Sequence, residues 1–214
     1  MHSQSAGTSS SGGTQVAMLV AHTFFHNVTA AELTALGVAA EYAEVLKVVR
    51  DAHVLLKACR PREFLNGAIP IRRRLERGFD AAGGWLREKP EVPDPLAKSG
   101  VSAMDWQKGI LGVEIQVTAN TARMLNDFRR IEFGCESGMI AVGVELTLML
   151  ATANMCTDRI AFFEDGVKYV QRFKNARCIV LGLMQDGFGP KALPKQLTRQ
   201  GRGARRRQPD FDAE

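Results

Sequence analysis

The chain has 214 residues, 45% of them hydrophobic, and a formal net charge of +5 at pH 7. This length and apolar content predict one domain with a substantial core, and the positive charge favours a polyanionic partner such as nucleic acid. They exclude a membrane span, because the longest apolar run, residues 140–150, is interrupted by Gly143 and Glu145. Four widely separated cysteines likewise argue against a zinc site.

The two ends of the chain differ in composition from the rest. Residues 1–14 are rich in Ser, Gly and Thr and lack the basic and apolar regions of a secretory signal, so we expect a disordered leader. Residues 191–214 are basic and poor in apolar side chains, and we expect a disordered tail. A single domain is predicted over residues 15–190. Its cysteines are typical of free thiols in a reducing compartment, which favours a cytoplasmic protein.

The first half of the domain is predicted to be mainly helical. Residues 29–58 have apolar positions near the helical period, behind the capping-box pair Thr29 and Glu32, and Gly37 could divide this stretch into two helices. A further helix is predicted over residues 69–83. The three prolines of residues 88–100 then predict a loop.

The second half alternates between strand and helix patterns. Strands are predicted over residues 110–117, 140–148 and 178–184, and helices over 120–133 and 164–173. A strand, a helix and a second strand in succession predict a parallel crossover pair. The fold class we expect is therefore α/β, with a mixed central sheet flanked by helices and a helical N-terminal part.

The segment DWQKGILGVEIQ, residues 105–116, contains the strongest candidate site. Strand alternation places Glu114 and Gln116 on one face, and a chain reversal near Gly109 would bring Asp105 back beside Glu114. Two converging carboxylates suit Mg²⁺, which binds few protein oxygens together with water and phosphate, and which activates water against a phosphodiester. The same pattern is also typical of a solvent-facing strand edge preceded by a turn.

This segment resembles the catalytic segment of the BglII/BstYI-type restriction endonucleases, within the PD-(D/E)xK nuclease superfamily. In that group an Asp is followed by a Lys three positions later and by Glu-x-Gln nine and eleven positions later. The matching residues here are Asp105, Lys108, Glu114 and Gln116. The stretches IAVGVEL, FFEDGVKYVQRF and RCIVLGLM also resemble the strands and helix that complete the family's core.

The resemblance implies a restriction-endonuclease-like core and a type II restriction endonuclease. Such an enzyme would cut both strands of duplex DNA with Mg²⁺ as a homodimer, with a GATC-centred palindrome as one candidate site. Asp105 and Glu114 would be catalytic metal ligands. Gln116, which stands where the superfamily has a lysine, would be a catalytic group that orients water or the metal through its amide. A further acid or amide from a preceding helix assists in relatives, and Glu76, Asp80 and Glu88 are candidates.

Several basic and polar residues are candidates for contact with DNA phosphates or bases. They are Lys108, Asn120, Arg123, Arg129, Arg130, Arg72 and Arg73. A run of arginines is also typical of a solvated helix face. Two other functions stay open, namely a metal-dependent DNA repair nuclease and a non-catalytic DNA-binding protein with the same fold.

Overall fold

A mixed six-stranded sheet forms the centre of the protein in the computed structural model, which describes residues 18–89, 91–118, 120–156 and 160–195. The strands are β1 (Met18–His26), β2 (Leu56–Lys57), β3 (Leu86–Arg87), β4 (Glu91–Pro93), β5 (Val101–Ala103), β6 (Trp106–Lys108), β7 (Leu111–Gln116), β8 (Val142–Leu148), β9 (Cys178–Gln185) and β10 (Phe188–Gly189). The helices are α1 (Glu32–Ala35), α2 (Ala39–Asp51), α3 (Ile69–Ala82), α4 (Thr121–Glu136), α5 (Leu150–Ala153) and α6 (Phe163–Val170). The predicted fold class is confirmed.

The strand order of the sheet is β1-β9-β8-β7-β6-β3. The three inner strands β7, β8 and β9 are parallel, and the outer pairings are antiparallel. The predicted parallel crossover is present, because α4 connects β7 to β8. The register between β7 and β8 places Glu114 directly beside Glu145. Helices cover both faces of these strands, which is why the strands read as nearly continuous apolar runs.

The two faces of the sheet have different coverings. On one face, Val113 and Ile115 of β7 belong to the same buried cluster as Ile71 and Leu75 of α3, together with α2. On the other face, the side chains of α4 and α6 pack against β9. By strand alternation, Glu114, Gln116, Glu145 and Thr147 all point toward this α4 face. The polar residues of the central strands are therefore concentrated beneath one helix.

The helices of the N-terminal half divide as the glycine pattern predicts. Gly37 has a positive φ of 71° and separates α1 from α2. The prediction that helix continues to residue 58 is wrong: α2 ends at Asp51, and the short strand β2 pairs with β10. The predicted loop over residues 88–100 contains β4, which forms a two-stranded ribbon with β5. The first correction involves pairing with a distant chain segment and the second involves pairing with a nearby strand, and local periodicity indicates neither pairing.

The ends of the chain are only partly described. The predicted leader, residues 1–14, and residues 196–214 of the predicted tail lie outside the described residues. Within residues 191–195, the Leu193 backbone carbonyl accepts a hydrogen bond from Gly67 at 2.9 Å and its N–H donates to Asn66 at 3.2 Å. In the described part of the chain, no helix has both the length and the apolar content needed to span a membrane.

Candidate active site

A cavity of about 540 Å³ opens where α3, the end of β7 and the start of α4 meet. Four arginines and three acidic residues contribute to its wall. The lining residues are Ile69, Arg72, Arg73, Glu76, Asp105, Gln116, Thr118, Arg123, Asn126, Asp127 and Arg130. The mixture of acids and arginines can hold a cation and an anionic ligand side by side.

Asp105 enters the cavity because the sheet loses a strand there. Strand β6 pairs with β7 only as far as Trp106 opposite Val113, so the backbone of Ile115 has no strand partner on that side. The Asp105 carboxylate accepts a hydrogen bond from the Ile115 N–H through Oδ2 at 2.9 Å. The Asp105 side chain thus supplies the hydrogen bond that β6 would otherwise make to this backbone group, since buried backbone groups need partners.

Arg72, from α3, occupies the same space beside Ile115 where β6 has ended. Its guanidinium donates to the Ile115 carbonyl oxygen at 2.8 Å, to Asp105 Oδ1 at 2.7 Å and to Glu76 Oε1 at 2.8 Å. Burial opposes the charge of this group, but the two neighbouring carboxylates outweigh that effect and raise the pKa of Arg72 above its ordinary value. Three oxygen atoms, from α3, from the bend at Asp105 and from β7, therefore converge on one positive charge.

Gln116 lies at the end of β7 with a nearly buried side chain that lines the cavity. Its amide nitrogen donates to the Asn120 carbonyl oxygen at 3.0 Å. Asn120 also caps α4, because its side-chain oxygen accepts from the Arg123 N–H at 3.3 Å. The Gln116 amide is thereby fixed, and its oxygen has no hydrogen-bond partner among the described residues.

Glu114 is buried beside the cavity but is not part of its lining. Its two carboxylate oxygens accept from Arg130 Nε at 2.6 Å and from Arg130 Nη2 at 3.0 Å. Arg130 also pairs with Asp127, and both of these residues do line the cavity. Burial, and then the charge of Asp127, raise the pKa of Glu114 well above its ordinary value. Burial also raises the pKa of Asp127 to about 7.

Glu145 adds a third acid to this buried group. It is fully buried on β8, and neither carboxylate oxygen has a hydrogen-bond partner in the described part of the chain. Burial, followed by the charges of Asp127 and Glu114, raises the pKa of Glu145 well above its ordinary value. Because one arginine cannot neutralise three neighbouring carboxylates, this environment favours the protonated, uncharged form of Glu145.

Other residues predicted from the sequence lie away from the cavity lining. Lys108 pairs with Glu44 at 2.7 Å, and Arg129 pairs with Asp94 at 3.2 Å, which ties α4 to the β4–β5 ribbon. Of the three candidates for a further acid, Glu76 lines the cavity, whereas Asp80 and Glu88 are exposed and outside it.

Within the cavity, the structure brings together Asp105, Gln116 and four of the predicted DNA-contacting arginines. These arginines are Arg72, Arg73, Arg123 and Arg130. Asn120 is the N-cap of α4 and is not part of the cavity lining.

Sequence reasoning missed the role of Asp127 and of the Ile115 carbonyl. Asp127 lies in the buried stripe of α4 together with Met124, Phe128 and Ile131. An acid within an apolar helical stripe is a signal that could have identified it, because buried charges require partners. A backbone acceptor such as the Ile115 carbonyl leaves no mark in the sequence.

The donor set at Arg72 suits a hard divalent cation. Carboxylate and carbonyl oxygens are the ligands of Mg²⁺, which also keeps several waters. Within residues 18–195 as described, no cluster of three or more His, Cys, Asp and Glu side chains is arranged to hold a metal ion. The residues present therefore fit an ion bound by one or two carboxylates and a backbone carbonyl, rather than a cage of protein ligands.

Comparison with known proteins identifies the fold. No protein family and no curated protein matches the sequence. The structure is similar to the crystal structure of the restriction endonuclease BglII complexed with a DNA 16-mer. The TM-score is 0.60 at 16% sequence identity, and the match covers 77% of this chain and 76% of that chain. The restriction-endonuclease-like fold expected from the sequence is thus confirmed, and the closer BglII/BstYI-type relationship stays a prediction.

Proposed function

We propose that this protein is a Mg²⁺-dependent endonuclease that hydrolyses phosphodiester bonds in double-stranded DNA. The observation that carries the proposal is the cavity, in which Asp105 and Gln116 of the predicted catalytic segment meet a group of arginines. The fold supports it, since the restriction endonuclease that resembles this chain was crystallised with DNA.

Asp105 would hold the metal through Oδ1, next to the Ile115 carbonyl oxygen. Glu114 would be the second carboxylate ligand, once its bonds to Arg130 are released. Bound there, Mg²⁺ would neutralise a phosphoryl oxygen and activate a water molecule. Glu76 is the acid of α3 that lines the same cavity, and it would assist from there.

The remaining groups would position the substrate. Gln116 cannot act as a cation, but its amide oxygen can accept a hydrogen bond from the attacking water. Arg73 and Arg123 line the cavity without an ion pair among the described residues, so their charges are available to phosphates. Lys108, Asn120 and Arg129 do not line the cavity and would contact the DNA outside it.

The specific activity that we infer is that of a type II restriction endonuclease. Such an enzyme would act as a homodimer, because a two-fold protein matches a palindromic sequence. A GATC-centred palindrome is the first sequence to test. The resemblance of DWQKGILGVEIQ to the BglII/BstYI-type catalytic segment supports this choice.

The test is cleavage of phage DNA by the wild type and by Asp105→Asn in MgCl₂. We expect the substitution to lower cleavage by about 1,000-fold or more, because it removes a metal ligand, while DNA binding persists. Asp80→Asn is the matched control, since Asp80 is an exposed acid of α3 outside the cavity. Full cleavage by Asp105→Asn would refute the assignment.

Sequencing of the cut ends separates the remaining functions. Ends at one fixed sequence indicate a restriction endonuclease, and scattered ends indicate a nuclease of the repair type. Binding of duplex DNA with no cut in either MgCl₂ or MnCl₂ would indicate a non-catalytic DNA-binding protein.

A further inference from the structure

Arg72 fills the position that the proposed function gives to the divalent ion. Its guanidinium lies 2.7 Å from Asp105 Oδ1 and 2.8 Å from the Ile115 carbonyl oxygen. We propose that Arg72 is an internal counter-cation that Mg²⁺ must displace, and that the displaced guanidinium then binds a DNA phosphate. This inference rests on the proposed function of the same cavity.

The two cations exclude each other for reasons of charge and space. The Asp105 carboxylate directs one oxygen to the Ile115 N–H, so Oδ1 is the oxygen left for a cation. A metal ion bound to Oδ1 and to the Ile115 carbonyl would occupy the volume of the guanidinium. Two positive charges at that separation repel strongly in a partly desolvated site.

The side chain of Arg72 is able to leave while its helix stays in place. Its side chain is 28% exposed and that of Asp105 is 26% exposed, so both face the cavity rather than the core. The backbone of α3 is held by Ile71 and Leu75, which are fully buried. Displacement therefore needs rotation of a long, flexible side chain and no change in the fold.

The exchange would couple the metal to the nucleic acid. In DNA-free protein, Mg²⁺ competes with a guanidinium that is already satisfied by three oxygens. With DNA present, a phosphate stabilises the displaced guanidinium, so each ligand favours the binding of the other. Arg73, the neighbouring cavity arginine, has no ion pair among the described residues and would bind phosphate without this exchange.

The experiment is a calorimetric titration of MgCl₂ into DNA-free protein. Arg72→Gln removes the competing charge, and we expect it to bind Mg²⁺ about tenfold more tightly than the wild type. Arg73→Gln removes a charge from the same helix and the same cavity, and we expect its affinity to equal that of the wild type. Asp105→Asn removes the shared ligand, and we expect its binding to be lost.

Thermal unfolding gives a second readout that needs no cleavage. Without metal, Arg72→Gln should melt below the wild type, because Asp105 and the Ile115 carbonyl lose a partner. MgCl₂ should raise its Tm more than that of the wild type, because the ion replaces the lost charge. If Arg72→Gln does not fold, Arg72→Lys keeps the charge without the fork and should bind Mg²⁺ more tightly than the wild type by a smaller factor.

The possible results separate this inference from the proposed function. If Asp105→Asn loses Mg²⁺ while Arg72→Gln matches or falls below the wild type, the exchange is wrong and the metal site stands. Equal tightening by Arg73→Gln would also overturn the exchange, since it would indicate a general charge effect. Wild-type affinity in Asp105→Asn, or no binding by any variant, would count against the metal site itself.

Discussion

Each of the two carboxylates predicted to bind metal forms an ion pair with an arginine, but one pair is more deeply buried than the other. The Arg130–Glu114 pair has side chains that are 19% and 1% exposed, whereas those of the Arg72–Asp105 pair are 28% and 26% exposed. The deeper arginine is shared with Asp127 and lies close to Glu145, whose carboxyl group has no hydrogen-bond partner in the described part of the chain. The two pairs therefore differ in role: Arg130 neutralises a buried group of acids, whereas Arg72 occupies the accessible position that we propose for the metal.

Removal of Arg130 should change the stability of the protein more than removal of any other paired cation discussed below. Arg130→Met leaves three buried carboxylates without a cation, and we expect it to lower the free energy of unfolding by about 3–5 kcal/mol. Urea unfolding at pH 7 measures the change. Arg123→Met is the matched control, because Arg123 lies on the same helix and lines the same cavity without an ion pair among the described residues. A loss no larger than that of the control would show that the acids are neutralised by other means.

The buried acids around Arg130 should also make the stability of the protein depend on pH. Burial raises the pKa of Asp127 to about 7, and burial also raises the pKa values of Glu114 and Glu145 well above their ordinary value. Between the ordinary carboxyl range near pH 4 and pH 7, the folded state therefore holds more protons than the unfolded state, so these groups lower stability as pH rises.

Glu145→Gln replaces one of these carboxyl groups by an amide that does not ionise. We expect the variant to gain at least about 1 kcal/mol of stability, relative to wild type, when the comparison moves from pH 4.5 to pH 8. Urea unfolding at the two pH values tests this. A difference between variant and wild type that does not change with pH would show that Glu145 has the same affinity for protons in both states.

The smallest change in stability is expected for Lys108, which lies at the end of β6 in the β6–β7 hairpin. Lys108 pairs with Glu44, and their side chains are 27% and 36% exposed. Lys108→Gln should lower the free energy of unfolding by about 0.5 kcal/mol, because solvent screens exposed pairs. The same urea experiment measures it. If this loss equalled that of Arg130→Met, burial would not be what distinguishes the pairs.

The central part of the fold was predictable because its signals are local. Strands β7 and β8 and helix α4 follow from alternation and helical period, and the β6–β7 reversal follows from Gly109, whose φ is 56°. Strand β1 gave no comparable signal, since its register is set by pairing with β9 at the far end of the chain. Strands β4 and β5 also depend on each other for their definition.

For the candidate site, the sequence indicated which residues to consider better than it indicated the contacts that they make. Alternation placed Glu114 and Gln116 on one face, but only the packing of α4 decides that Gln116 reaches the cavity while Glu114 is covered by Arg130. The contact of Arg72 with the Ile115 carbonyl joins positions 43 residues apart. Such contacts come from tertiary structure, and residue spacing does not encode them.

The cavity is assembled from α3, the hairpin that begins at Asp105, and α4, so no single segment contains it. Contacts between remote segments form late, after the entropy of closing long loops has been overcome. A ribosome-bound chain that ends before Arg130 would lack one wall of the cavity. The proposed nuclease activity would therefore require the finished tertiary structure, and partly synthesised chains would lack it.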